Sequence, residues 1–179
     1  MSRNIERAQF LPYSYVRRNR CPDAEIWYGV TSNAEHPFCL FSPFFPHGGI
    51  PIPGLSGQIS ETVEGIWQGL KVIKGQTAPR YFRGSGKKRG GKPTGHQFGA
   101  ERRLLKLEHA RRRIYIPAYE WMLENRIPSE VLEAIETNMF GGIQQSFYDY
   151  ESNGNISKDM PLAHAAVLVR WLNRRFCSQ

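Results

Sequence analysis

A helix-rich α+β domain with a small antiparallel sheet is the fold class that the sequence predicts, and three observations predict it. Apolar residues recur every three or four positions in several long segments, short aromatic and β-branched runs lie between them, and the two kinds do not alternate as regular β-α-β units. The 179 residues suffice for one core and are short for two, so residues 1–179 are expected to form a single domain. A composition of 40% hydrophobic and 22% charged residues gives the chain enough apolar surface to fold unaided.

Taken in order, residues 25–31 and 37–42 are short aromatic and β-branched runs between polar breaks, and they read as strands. Residues 42–57 hold four prolines and four glycines, which exclude a regular helix and predict a structured apolar loop of the kind that walls a pocket. Ser60 is placed to cap a helix that runs to about Lys74. Its first turn carries Glu61 and Glu64 at the positive end of the helix dipole, and Val63, Ile66, Trp67, Leu70 and Ile73 form the stripe that faces a core. Residues 75–99 are glycine-rich and basic, which predicts a loop.

Helical periodicity returns over residues 100–126 through Leu104, Leu107, Ile114, Trp121 and Leu123, with a break or kink expected at Pro117. A short helix opens at Pro128 and Ser129 and runs to about Thr137. Residues 143–150 read as a strand, followed by the turn Ser152, Asn153 and Gly154. The last helix starts at Asp159 or Pro161 and buries Leu162, Ala166, Val169, Leu172 and Phe176.

Charge is unevenly spread. Residues 71–113 hold 14 of the 24 Lys and Arg against two of the 16 acidic residues, so this segment alone carries +12 of a chain total of +8. Such density attracts phosphate, in a nucleotide or a nucleic acid backbone, or else marks a solvated face and a basic loop. The first residues carry charge without an apolar run behind it, and no stretch reaches the roughly 18 apolar residues of a membrane span, which predicts a cytoplasmic protein with no membrane partner. Cys21, Cys39 and Cys177 are far apart, which suits a reducing compartment.

Several chemistries find no support. In Gly86–Thr94 a near P-loop places Pro93 where the magnesium-binding hydroxyl should stand, and no apolar strand precedes it. His36, His47, His96, His109 and His164 show no metal-binding spacing, so neither metal nor cofactor is expected. No serine lies in a G-x-S-x-G elbow.

The informative segment is residues 60–71. Glu64, Gln68 and Lys71 fall at i, i+4 and i+7, one narrow line on a helix beside Trp67. By itself this line could equally be a wet surface, with Trp67 in the core. The segment resembles the signature of the NADAR (YbiA-like) N-glycosidase family, in which a Ser-Glu start is followed by an aromatic, a glutamine and a lysine. Phe41, Ser42, Pro43 and Phe44 resemble the family's Phe-Ser-Asn-Phe. Looser similarity extends over residues 38–176, through residues 148–153 to the closing segment at Pro161–His164. Leu107–His109 stand where the family commonly has a tryptophan, and the basic loop is longer than the family's.

The resemblance implies a metal-independent hydrolase that cuts an N-glycosidic bond between ribose and a base or amine nitrogen, for example in ADP-ribosylated guanine or a phosphoribosylated nucleotide. It implies Glu64 as the catalytic carboxylate, Lys71 as its companion and Asp149 as a second acid. Trp67, Gln68, Phe44, Asn153 and His164 would bind substrate, with Arg83, Lys87, Lys88 and Arg89 on its phosphates. Two alternatives stay open. One is a non-enzymatic nucleic-acid binder using residues 71–113 with Tyr81, Phe82, Phe98 and Tyr115; the other is a protein that holds ADP-ribose or a related nucleotide without turnover.

Overall fold

The computed structural model describes residues 8–84 and 86–177. Residues 1–7, Ser85 of the basic loop and the side chain of Cys177 lie outside that part. Along the chain the strands are β1 (Gln9–Phe10), β2 (Glu25–Gly29), β3 (Ile50–Pro51), β4 (Ile59–Ser60), β5 (Lys71–Val72), β6 (Gly95–His96) and β7 (Gln144–Tyr148). The helices are α1 (Tyr13–Val16), α2 (Val63–Leu70), α3 (Leu107–Ala110), α4 (Ile116–Arg126), α5 (Ser129–Phe140) and α6 (His164–Cys177). A π turn, Arg111–Tyr115, joins α3 to α4. This is an α+β fold, and its contacts separate two compact units, one of the described residues up to 42, 127–155 and from 160 onward, the other of 43–126 and 156–159.

The first unit is built on a three-stranded sheet of order β1-β7-β2, parallel on both sides of β7. An antiparallel sheet was the expectation, and the difference has a topological cause. A hairpin forces antiparallel pairing, whereas β2 and β7 are joined through residues 43–126 of the other unit and α5, so either direction is open. β7 is central and buries Gln145, Ser146 and Phe147; α5 and α6 both pack on it, with Ile135, Met139, Leu168 and Leu172 in the core. Residues 38–41, expected as a strand, form a 3₁₀ turn between Pro37 and Ser42, with the Ser42 N–H on the Cys39 carbonyl. The last helix begins at His164 rather than at 159–161, because Asn153 and Leu162 form a parallel bridge and the Ala163 N–H donates to the Asn153 carbonyl.

The second unit has two antiparallel strand pairs. Ile50 and Pro51 face Ser60 and Ile59, so the proline-rich loop carries a strand that its composition concealed, and its turn lines a cavity of about 590 Å³ with Pro51, Ile52, Leu55 and Ile59. Lys71 and Val72 face His96 and Gly95, which draws the end of the basic loop into a sheet. The helix expected over 100–126 starts only at Leu107, since Leu105 exchanges backbone hydrogen bonds with His96. The widened π turn lies just ahead of Pro117, which has no N–H for the preceding turn and whose ring needs room there. Among the described residues no helix is long and apolar enough to cross a membrane.

Candidate functional site

The site grows from α2. Thr62, not Ser60, is its N-cap: the Thr62 hydroxyl accepts the Gly65 N–H at 2.8 Å, a contact worth about 1 kcal/mol. The Ser60 hydroxyl donates to the carbonyls around it, with Thr62 O at 3.0 Å and Phe82 O at 2.9 Å. The Glu64 N–H donates to the Pro43 carbonyl at 2.9 Å, so the segment ending in half-buried Phe44 meets the helix start directly.

At its other end α2 stops at Leu70, short of the expected limit, and Lys71 turns extended into β5. The basic loop supplies partners for carbonyls that a helix end leaves open. Ala78 N–H donates to Gly69 O at 2.9 Å, Gln97 N–H to Leu70 O at 2.9 Å, and the Arg89 guanidinium to Gln68 O at 3.0 Å and Lys71 O at 2.7 Å. Glycine on α2 lets the loop approach: a Cβ on Gly69 would collide with the Phe82 ring, and one on Gly65 with the Tyr81 carbonyl.

Glu64 is 6% exposed and Gln68 1%, while Lys71 is half-buried, so the carboxylate and amide of the row are buried rather than wet. The Gln68 amide donates to the Glu64 carboxylate at 2.5 Å, and its oxygen receives the Lys71 ammonium at 3.0 Å and the Arg89 backbone N–H at 3.1 Å. Two donors on one side and a carboxylate on the other fix which way the amide points. Burial holds the Lys71 pKa below its ordinary value; Glu64 opposes that, and Lys88 and Arg89 add to it. The product is a polarised line running from an ammonium through an amide to a carboxylate.

An aromatic wall stands beside the row. Trp67 is half-buried, with the His96 ring against it at 3.9 Å between centroids and Tyr115 edge-on at 5.6 Å; Tyr119 stacks behind Tyr115 at 6.1 Å. Lys71 Nζ lies 5.9 Å from the indole centroid. His96 is 2% exposed, and burial together with Lys71 and Arg111 pushes its pKa down to about 3. Arg111, in the π turn, is buried and donates to the carbonyls of Ile156 at 2.7 Å and Lys158 at 2.6 Å.

The basic residues separate. Arg83, Lys87 and Lys88 are exposed, while Arg89 is turned inward to cap α2. Arg80, Tyr81, Arg83, Gly84, Gly86 and Lys87 line a cavity of about 310 Å³. Gly86, at φ +66°, also abuts the helix start, where a Cβ on it would come within 2.9 Å of the Glu64 Cβ. Of the aromatics expected for stacking on bases, Phe82 and Tyr115 are buried, and Tyr81 and Phe98 lie under Arg80 with Arg89 and under Arg113.

Asp149, Asn153 and His164 belong to the first unit, where they form their own network. Asp149 is buried, and its carboxylate accepts the Glu151 N–H at 2.6 Å and the Ala165 N–H at 2.9 Å and meets His164 Nδ1 at 2.9 Å. His164 Nε2 lies 2.7 Å from the Val30 carbonyl, so both ring nitrogens face acceptors, an arrangement that a doubly protonated ring completes. Burial alone would raise the Asp149 pKa; the charge and hydrogen bond of His164 and the two backbone N–H groups outweigh it and hold the carboxyl below its ordinary value. The Asn153 amide closes the turn through Asn155 and Met160.

Residues 14–168 match the model of a family of unknown function (DUF6939). The chain belongs to that family. No curated protein and no solved structure matches it.

Sequence reasoning passes over Arg80, His96, Arg111 and Tyr115 as parts of one site. Spacing tests His96 only as a metal ligand, and among the described residues no group of three His, Cys, Asp or Glu is arranged to hold a metal ion. Its register with Lys71 depends on strands of two residues, too short to leave a periodic signal.

Proposed function

We propose that this protein hydrolyses an N-glycosidic bond between ribose and a base or amine nitrogen, the activity implied by its resemblance to the NADAR (YbiA-like) family. The observation that carries the reading is the row of buried Glu64 and Gln68 with half-buried Lys71, beside Trp67. Breaking the C1′–N bond builds positive charge on the sugar, and a carboxylate held in low dielectric stabilises that charge more strongly than one in water. Glu64 also takes the proton of the attacking water; the water oxygen bonds to C1′, and the bond electrons leave with the nitrogen, which is then protonated.

Lys71 and Gln68 hold Glu64 in position, and Trp67 supports the flat leaving group. Arg83 and Lys87, joined by Arg80, line a cavity at Gly86, which packs against the start of α2, and suit the phosphates of an ADP-ribosylated or phosphoribosylated substrate. Asp149, expected as a second acid, has its carboxylate engaged by α6, and the reading rests the chemistry on Glu64. The scheme asks for no metal or cofactor, and a reducing cytoplasm suits the free thiols of Cys21 and Cys39.

The test is a panel of ribosylated nucleobases and nucleotides, read by mass spectrometry for released base. Wild-type protein is expected to release base from at least one of them, and Glu64→Gln to lose at least about 100-fold in turnover at an unchanged Tm. Full turnover by the Gln variant would reject the assignment. One observation favours a second reading as a nucleic-acid binder: Arg102, Arg103, Lys106 and Arg112 are exposed close together in sequence, near a cavity of about 320 Å³. Affinity for RNA that falls steeply with salt, with no release of base, would support that reading instead.

A further inference from the structure

A buried polar group without a partner is costly, so native proteins keep few of them, and each one asks for an explanation. His96 presents two such atoms at once. Neither Nδ1 nor Nε2 has a hydrogen-bond partner among the described residues, although the residue is 2% exposed. Its backbone N–H and carbonyl both bond Leu105, and its neighbours Thr94 and Gln97 bond Val72 and Leu70 on the other side, so the ring is held in place by a sheet and not by its own polar atoms.

The surroundings are those of the proposed site. Lys71 is the cross-strand partner of His96, Trp67 lies against its ring, and Arg111 from the π turn acts on it electrostatically. An apolar ring would pack against Trp67 equally well without the desolvated nitrogens. We propose that His96 is a substrate-binding residue whose neutral imidazole hydrogen-bonds a sugar hydroxyl of the nucleotide bound beside Glu64 and Trp67. A neutral imidazole nitrogen either donates or accepts, and a hydroxyl does both, so a hydroxyl matches whichever ring nitrogen it meets. Phosphate does not match that pairing, because it offers acceptors alone and has Arg80, Arg83 and Lys87 to meet it.

This contact rests on the ribosyl-hydrolase reading, and two measurements keep them apart. In the first, the ring ¹⁵N resonances of His96, assigned by their loss in His96→Phe, are followed while ADP-ribose is added to the full chain. The resonance of the nitrogen that gains the hydroxyl is expected to shift; resonances that stay put at millimolar ADP-ribose overturn the contact. In the second, His96→Phe is expected to lose at least tenfold in kcat/KM with Tm unchanged or raised, and His96→Gln, which keeps an amide near the Nε2 position, to recover part of the loss. A Phe variant that keeps wild-type kcat/KM overturns the contact while leaving the hydrolase reading intact. Ring shifts in a protein that releases no base from any substrate would do the reverse.

Discussion

Two buried carboxylates, one in each unit, are held in opposite ways. Asp149 is anchored by backbone: two N–H groups and the His164 ring converge on it, and one of those N–H groups belongs to the start of α6. Glu64 meets a side-chain amide that is itself held by an ammonium and by a loop N–H. A carboxylate fixed by the chain's own backbone serves the fold, because moving it would undo a helix start. One held through side chains can exchange hydrogen bonds with a visiting molecule while its helix stays intact. The same residue class, buried in both places, is thus tied to the backbone in one and to side chains in the other.

The largest expected effect that could break this comparison is on stability. Asp149→Ala leaves His164 facing the Val30 carbonyl with its counter-charge removed, and losing one partner of a buried pair typically costs about 3–5 kcal/mol. Urea denaturation should show that loss. A drop below about 1 kcal/mol would mean that Asp149 is not the anchor described.

A second effect is smaller and concerns pH. The folded His96 pKa of about 3 lies below the ordinary value of 6.5, so the unfolded chain takes up the proton first as the solution is acidified. The His96 contribution is therefore complete above about pH 6.5 and declines as pH falls toward 3. By pH 5 the decline is about 2 kcal/mol, at roughly 1.4 kcal/mol per pH unit. Thermal unfolding at pH 7 and pH 5 should show this fall in wild type, and a smaller fall in His96→Phe. Equal falls in both would place the acid sensitivity elsewhere, though not at Asp149, whose depressed pKa makes its own contribution disappear only at still lower pH.

The smallest effect on the fold sharpens the contrast from outside. Arg83→Ala with Lys87→Ala changes two exposed side chains, so stability should stay within about 0.5 kcal/mol. KM for a phosphorylated substrate should rise about tenfold or more while kcat holds, the pattern of lost uniform binding. A double variant with unchanged KM would remove the cavity at Arg80–Lys87 from the substrate path.

The parts legible in the sequence were those encoded locally. The stripe Val63, Ile66 and Leu70 gave α2 its buried face, and the spacing of Glu64, Gln68 and Lys71 brought the three together although the helix ends one residue before Lys71. The parts that stayed hidden depend on residues far apart in the chain. Parallel pairing of β2 with β7, the Lys71–His96 register and the inward turn of Arg89 are each settled by packing that no window of residues reports. Residues 38–41 misled for another reason: aromatic composition fits a strand and a buried 3₁₀ turn alike, and Phe41 is buried in the turn.

The π turn at Arg111–Tyr115 acts like a one-residue insertion absorbed inside a helix. Each extra residue swings the next stretch of helix by about 100° around the axis, so the side chains before and after the turn are indexed to different faces. Arg111 and Tyr115, at its two ends, both reach inward, one toward the carbonyls of Ile156 and Lys158 and the other onto Trp67. Removing one residue here would leave every helical hydrogen bond available and still misdirect the whole of α4, so this short stretch sets the angular phase of the aromatic wall.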